Sequence, residues 1–332
     1  MSTVGDRAGI APVAETTERA RVFVAAHKPE AAALGRDAGE LVHDPADLVD
    51  TLRAGLEPLA DPEYLEGMQR VAPGIGPILG VRQPLLRAVA QGLRAATRRD
   101  RPDTVLDVAD HLLRGDLLEL HWIAFTLLER TIALEPERTW QLVRGSARRA
   151  DNWITVDSLA HVAARGILAE AYRWAELEQL VYSPSRWERR LVGSTIAVIP
   201  VTDRTAGRTP DVARHGLGLI RDAIGDDEPD VQKALSWALR SLTVVDRDAT
   251  VAFLREEAAA ARATGDGNRA WVVRDSLEKL PAPLASELKA AVDGIRRRPN
   301  ATSTSRAAAT AAAFLGLGVD VPPAERPVVE RP

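Results

Sequence analysis

The stretch "DVQKALSWALRSLTVV" (230–245) decides the fold. Its apolar residues Val231, Ala234, Leu235, Ala238, Leu239 and Leu242 recur at spacings of three and four, which gathers them on one face of an α-helix. Lys233, Trp237 and Arg240 fall at i, i+4 and i+7 and so share another face. The same period runs through "PLLRAVAQGLRAATRR" (84–99), and through "DLLELHWIAFTLLERTIAL" (116–134), which is more apolar and reads as more deeply buried. No alternating pattern of the strand type stands out.

Short breaks separate these segments: "RPD" (101–103), "EPE" (135–137), "SPS" (183–185) and "GDDEPD" (225–230). Breaks recurring about every 35–50 residues suit stacked pairs of helices. The expected fold is therefore all-α: a superhelical solenoid of degenerate helical repeats, as in HEAT or armadillo arrays. Three parts are expected along the chain. Residues 1–61 read as a partly flexible helical extension rich in Ala, Glu and Asp, with a helix around 15–26. Residues 62–297 hold the repeats. Residues 298–332 mix Ala, Thr, Pro and Arg and read as a largely loosely ordered tail, with room for a short helix at 305–316.

The chain has 332 residues, 45% of them hydrophobic, enough for a large core. With no cysteine there is no disulfide, no thiolate nucleophile and no thiolate metal ligand. The six histidines show no ligand spacing, so no metal and no cofactor are expected. No apolar run approaches the roughly 18 residues of a membrane span, and the N-terminus lacks the apolar core of a secretion signal, so a cytoplasmic protein away from membranes is expected. A monomer is expected as well. Arg far outweighs Lys and Ala is abundant, as in a high-GC bacterial genome.

The formal net charge is −4, yet basic residues cluster locally. "RTWQLVRGSARR" (138–149) carries Arg138, Arg144, Arg148 and Arg149 and no acid. "SRWERR" (185–190) sets Arg186, Arg189 and Arg190 against Glu188. "GIGPILG" (74–80) has suggestive glycines but no preceding strand, so it reads as a turn between helices rather than a phosphate cradle. Three segments place tryptophan and charge together on helices near breaks. "NWITVDS" (152–158) sets Trp153 and Asp157 four apart, on one face. "RWERR" puts Arg186 and Arg190 on one face with Trp187 beside them, and Trp187 reads as core. "VQKALSWALR" supplies Lys233, Trp237 and Arg240. Small or polar neighbours (Asn152, Ser158, Ser236) favour a site at Trp153 and Trp237.

In this order the segments resemble the AlkD-type DNA alkylation repair family, HEAT-like-repeat glycosylases that remove alkylated purines. "GPILGVRQPLLRAV" (76–89) resembles the family's leading turn into an arginine-bearing helix, and "NWITVDS" its Trp-X-X-X-Asp motif. "RWERR" resembles its Trp-X-X-Arg segment, and "DVQKALSWALRSLTVVDRDATVAFL" (230–254) its Gln-Lys-Ala-X-X-Trp helix with the helix that follows. The resemblance spans roughly 62–280. It departs at the family's early-helix tyrosine, which falls near Gly67 with only Tyr64 close by, and in the acidic overall charge.

The resemblance implies a catalytic carboxylate at Asp157, with Trp153 and Trp237 flanking the deoxyribose of the lesion. It implies DNA contacts at Arg190 and, from the early turn, at Gln83 and Arg87. The neighbouring cations Arg186, Lys233, Arg240, Arg148 and Arg149 are expected to hold phosphates on a concave face. The implied reaction is metal-free, monofunctional hydrolysis of the N-glycosidic bond of cationic N3- or N7-alkylpurines in duplex DNA. The lesion stays out of a base pocket, so bulky natural-product adducts, as in self-resistance, are admitted. A catalytically silent helical scaffold binding DNA or protein is the alternative, and a binder of abasic or branched DNA a third reading.

Overall fold

A computed structural model of the chain describes residues 13–316, and their side chains from 17 to 313. It contains helices joined by short turns, with one isolated β-bridge between Ala60 and Val81. The chain forms two compact units that divide at 142/143. The first holds α1 (Val13–Gly39), α2 (Pro45–Leu56), α3 (Pro62–Val71), α4 (Gln83–Ala96), α5 (Pro102–Arg114) and α6 (Leu118–Thr131). The division falls within α7 (Pro136–Arg149). The second unit continues with α8 (Trp153–Ala169), α9 (Arg173–Val181), α10 (Arg186–Thr202), α11 (Pro210–Ala223) and α12 (Pro229–Val245). It ends with α13 (Arg247–Thr264), α14 (Gly267–Asp275), α15 (Ala282–Ala291) and α16 (Arg306–Gly316).

Contacts in the second unit follow the logic of stacked pairs. Helices α8, α10, α12 and α14 pack successively against one another, as do α9, α11, α13 and α15 in a second layer. Each helix is then a neighbour of the one two places on, which is how repeats bury a continuous core. The all-α repeat fold read from periodicity is what the structure has. The opening stretch behaves as its pattern requires: Val231, Ala234, Leu235, Ala238, Leu239 and Leu242 of α12 are all fully buried. Close approach of α10 and α12 depends on Gly193, where a Cβ would lie 2.7 Å from the Ala234 carbonyl carbon.

In the first unit α6 is buried nearly all round, Glu119 included. α1 runs along α4, so residues expected to form an extension before position 62 are packed into this unit. α1 also carries on through Pro29, well past the helix expected at 15–26. The expected boundaries at 61/62 and 297/298 thus differ from the division at 142/143. Part of the tail expected to be loose is tied down as well. The Thr304 N–H donates to the Gly225 carbonyl at 2.9 Å, Ser305 is buried, and α16 packs on α11. These backbone attachments leave no mark in composition. Residues 1–12 and 317–332, the remainder of both expected ends, lie outside the described residues. Among the described residues no helix is long and apolar enough to cross a membrane.

Candidate active site

Local sequence starts α8 at the right place. Asn152 takes extended backbone angles, and its side-chain oxygen accepts from the Thr155 N–H at 2.9 Å, capping the helix. Trp153 is then the first helical residue, and Asp157 follows one turn on along the same face. Asp157 is neither buried nor free: its side chain is 19% exposed.

α10 brings the partners. Arg190 donates from Nε to Asp157 Oδ1 at 3.1 Å and from Nη2 to Oδ2 at 2.8 Å, a two-point grip. Its third nitrogen, Nη1, donates to the Asp230 carbonyl at the start of α12, at 2.6 Å. Ser194, one turn after Arg190, donates from Oγ to Asp157 Oδ1 at 2.6 Å. The Arg190 guanidinium also lies over the Trp153 ring, 5.8 Å from its centre. A carboxylate, a buried guanidinium and an indole from three turns of two helices thus form one cluster. Trp237 sits half-buried on α12, the helix whose first turn receives Arg190.

The start of α10 is anchored from several sides. Arg189 pairs with buried Asp226 (2.7 Å) and donates to the Ser183 and Pro184 carbonyls. The Ser183 hydroxyl donates to buried Glu188. Asp226 also accepts the Glu228 N–H, fixing the turn into α12. Arg190 therefore projects from a helix end that has little freedom to shift.

The other expected contact residues divide into two kinds. Lys233 and Arg149 are exposed, as is Arg148, 3.5 Å from Glu188 Oε1. Arg186 is exposed too and covers the Trp187 ring at 4.6 Å, so Trp187 is half-buried under a cation and not a core residue. Arg240 is committed instead: its Nη1 donates to the Asp275 carbonyl at 2.7 Å and to its carboxylate at 2.9 Å. Arg190 is likewise engaged and only 5% exposed, so it stands behind the carboxylate and not out at the surface. In the first unit Arg87 is exposed on α4 and Gln83 is half-buried at its first turn.

The turn at 74–80 holds an anion, but one of the protein's own. The N–H groups of Leu79, Gly80 and Val81 all donate to Glu119 Oε1, at 3.1, 2.9 and 3.2 Å. Gly80 enters this cradle at φ +87°, and a Cβ there would lie 2.6 Å from Leu65 Cβ. Burial pushes the Glu119 carboxyl above its ordinary value despite those amides. Nearby, Asp61 pairs with Arg82 at 2.6 Å. Burial opposes its ionisation, but Arg82 and two backbone amides outweigh that and hold the carboxyl low.

Three participants escaped the sequence reading: Ser194, the Asp230 carbonyl and Glu119. Ser194 left a weak trace, a hydroxyl four residues after Arg190 in the apolar run "LVGSTIAVIPV" (191–201). Glu119 left a clearer one, an acid set among apolar residues in the first turn of a largely apolar helix. Among the described residues no three His, Asp or Glu side chains converge to hold a metal ion.

The family model for DNA alkylation repair enzymes matches residues 52–280, more than two-thirds of the chain. The chain belongs to the DNA alkylation repair enzyme family. No curated protein matches it. The matched span of this DNA alkylation repair family member contains the cluster of Trp153, Asp157, Arg190 and Ser194, and Trp237, Gln83 and Arg87 as well.

Proposed function

We propose that the chain is a monofunctional DNA glycosylase that hydrolyses the N-glycosidic bond of cationic N3- or N7-alkylpurines in duplex DNA. One observation carries this reading. Asp157 is a carboxylate still partly open to solvent, fixed by a two-point guanidinium grip, with an indole beside it.

The chemistry needs such a group. As the bond between the sugar C1′ and the purine breaks, its electron pair goes to the base and neutralises the positive charge that alkylation placed there. The sugar is left cationic, in an oxocarbenium-like state. A carboxylate already oriented toward that charge stabilises it without reorganisation, and such stabilisation is usually the largest catalytic contribution. Water then adds at C1′ and loses a proton, for which Asp157 is the acceptor. Because the leaving purine is cationic, no strong general acid is required.

Trp153 and Trp237 complement this by offering ring faces to a polarised sugar, each worth about 0.5–2 kcal/mol. Lys233, Arg186, Arg148, Arg149 and Arg87 supply phosphate contacts, which give position and salt dependence but little sequence preference. A site that works on the sugar needs no base pocket, so bulky natural-product adducts fall within its range, and self-resistance with them. The enzyme acts as a monomer in the cytoplasm without a metal or cofactor.

Incubating the protein with duplex DNA carrying 7-methylguanine tests the reading. Free base and an abasic strand without strand cleavage are expected. Tight binding to abasic duplex without excision, or no release from small or bulky adducts, would leave a helical scaffold that binds DNA or protein.

A further inference from the structure

The two oxygens of Asp157 are not equivalent. A carboxylate offers about four lone-pair sites, two on each oxygen. Oδ1 receives Arg190 Nε and Ser194 Oγ, which fills both of its sites. Oδ2 receives Arg190 Nη2 and keeps one site open. Ser194 is fully buried, so its hydroxyl is shut off from water and has Asp157 as its acceptor. Gripped by the guanidinium alone, the carboxylate would have one open site on each oxygen, and either could turn outward. With Ser194 in place only Oδ2 is left to meet a cationic partner.

We propose that Ser194 is a positioning residue that saturates Oδ1 and commits Oδ2 of Asp157 to the substrate sugar. This rests on the glycosylase reading above. Ser194 itself touches no substrate. It acts by removing an alternative presentation of the carboxylate, so it bears on the chemical step and not on duplex binding. Its location supports that division of labour. It lies one helical turn behind Arg190, on the same face of α10, with its backbone fixed by the close packing of Gly193 against α12. A hydrogen bond to a charged group, lost from a preorganised site, reduces a rate about tenfold or more.

Single-turnover release of 7-methylguanine from duplex DNA by wild type, Ser194→Ala and Ser194→Thr tests this, with duplex affinity and melting temperature measured on the same preparations. The expected result is a loss of about tenfold in release for Ser194→Ala at unchanged affinity and melting temperature. Ser194→Thr, which keeps the hydroxyl, recovers most of that loss. Wild-type release matched by Ser194→Ala overturns the inference alone. So does a loss of rate that tracks losses of affinity and melting temperature, since that marks a merely structural role. Failure of the wild-type chain to release any base overturns the glycosylase reading and this inference with it.

Discussion

Arg190 and Asp157 meet edge to edge, Nε against Oδ1 and Nη2 against Oδ2, while the remaining nitrogen of Arg190 is spent on the Asp230 carbonyl. The guanidinium is thus a bracket between α8, α10 and α12. Its plane sets the plane of the carboxylate. This geometry is specific to arginine. Lysine carries the same charge as a compact point and cannot bridge two oxygens and a carbonyl at once. Arg190→Lys is expected to stay folded and to lose about tenfold to hundredfold in base release, with little change in duplex affinity. Single-turnover rates beside equilibrium binding measure this, and full activity in the lysine variant would show that the grip is dispensable.

Close packing under the site gives a second prediction. A Cβ on Gly193 would sit 2.7 Å from the Ala234 carbonyl carbon and 2.9 Å from the Leu235 nitrogen, both backbone atoms that cannot yield. Gly193→Ala must therefore push α10 and α12 apart, at a cost of about 1–3 kcal/mol typical of overpacking. The same displacement lengthens the bond from Arg190 to Asp230, so activity and stability should both fall. A thermal melt that matches wild type contradicts this packing.

The cations around the site should separate in their response to salt. Lys233 is exposed on α12, whereas Arg240 of the same helix is bound to Asp275. Lys233→Ala is expected to reduce the slope of log affinity against log salt by about 0.9, the loss of one phosphate contact. Arg240→Ala leaves that slope unchanged and lowers the melting temperature instead. Titrations at several salt concentrations distinguish the two, and a slope change for Arg240→Ala alone would reverse the assignment.

Glu119 makes stability depend on pH in a defined direction. Burial raises its carboxyl in the folded chain, so between its ordinary value and the raised one the folded state binds more protons than the unfolded state. Stability from this group is present at acidic pH and is lost as pH rises through the folded value. Relative to Glu119→Gln, the wild-type chain should therefore gain melting temperature as pH falls from neutral toward the ordinary carboxylate range. A difference independent of pH contradicts it. Glu119→Ala is the harsher change, because the amides of Leu79, Gly80 and Val81 lose their shared acceptor, and at least about 2 kcal/mol is expected to go with it.

Helical periodicity made the fold legible because every layer of the stack buries a stripe of Leu, Val and Ala, as α12 does. Pairing of Trp153 with Asp157 was legible for the same reason, since four-residue spacing fixes a shared face. Contacts between helices were not. Arg190 reads as a surface cation in "RWERR", and only the packing of α10 between α8 and α12 turns it inward. Arg240 likewise reads as available until α12 is set against Asp275. The turn at 74–80 is legible from its glycines and Pro77, yet its occupant, Glu119, lies 39 residues from Gly80 and nothing local announces it. The helix expected at 15–26 extends as α1 through Pro29 to Gly39, packed along α4, a contact between helices that local sequence does not announce.

The most direct measurement is the single-turnover rate of free-base release from a 7-methylguanine duplex by wild type and by Asp157→Asn. Asparagine keeps the shape and much of the hydrogen bonding while removing the negative charge. The account predicts a fall of at least about a hundredfold, the scale of losing an electrostatic group at a developing charge, with duplex binding retained. Release at the wild-type rate by Asp157→Asn would contradict the claim that this carboxylate carries the reaction.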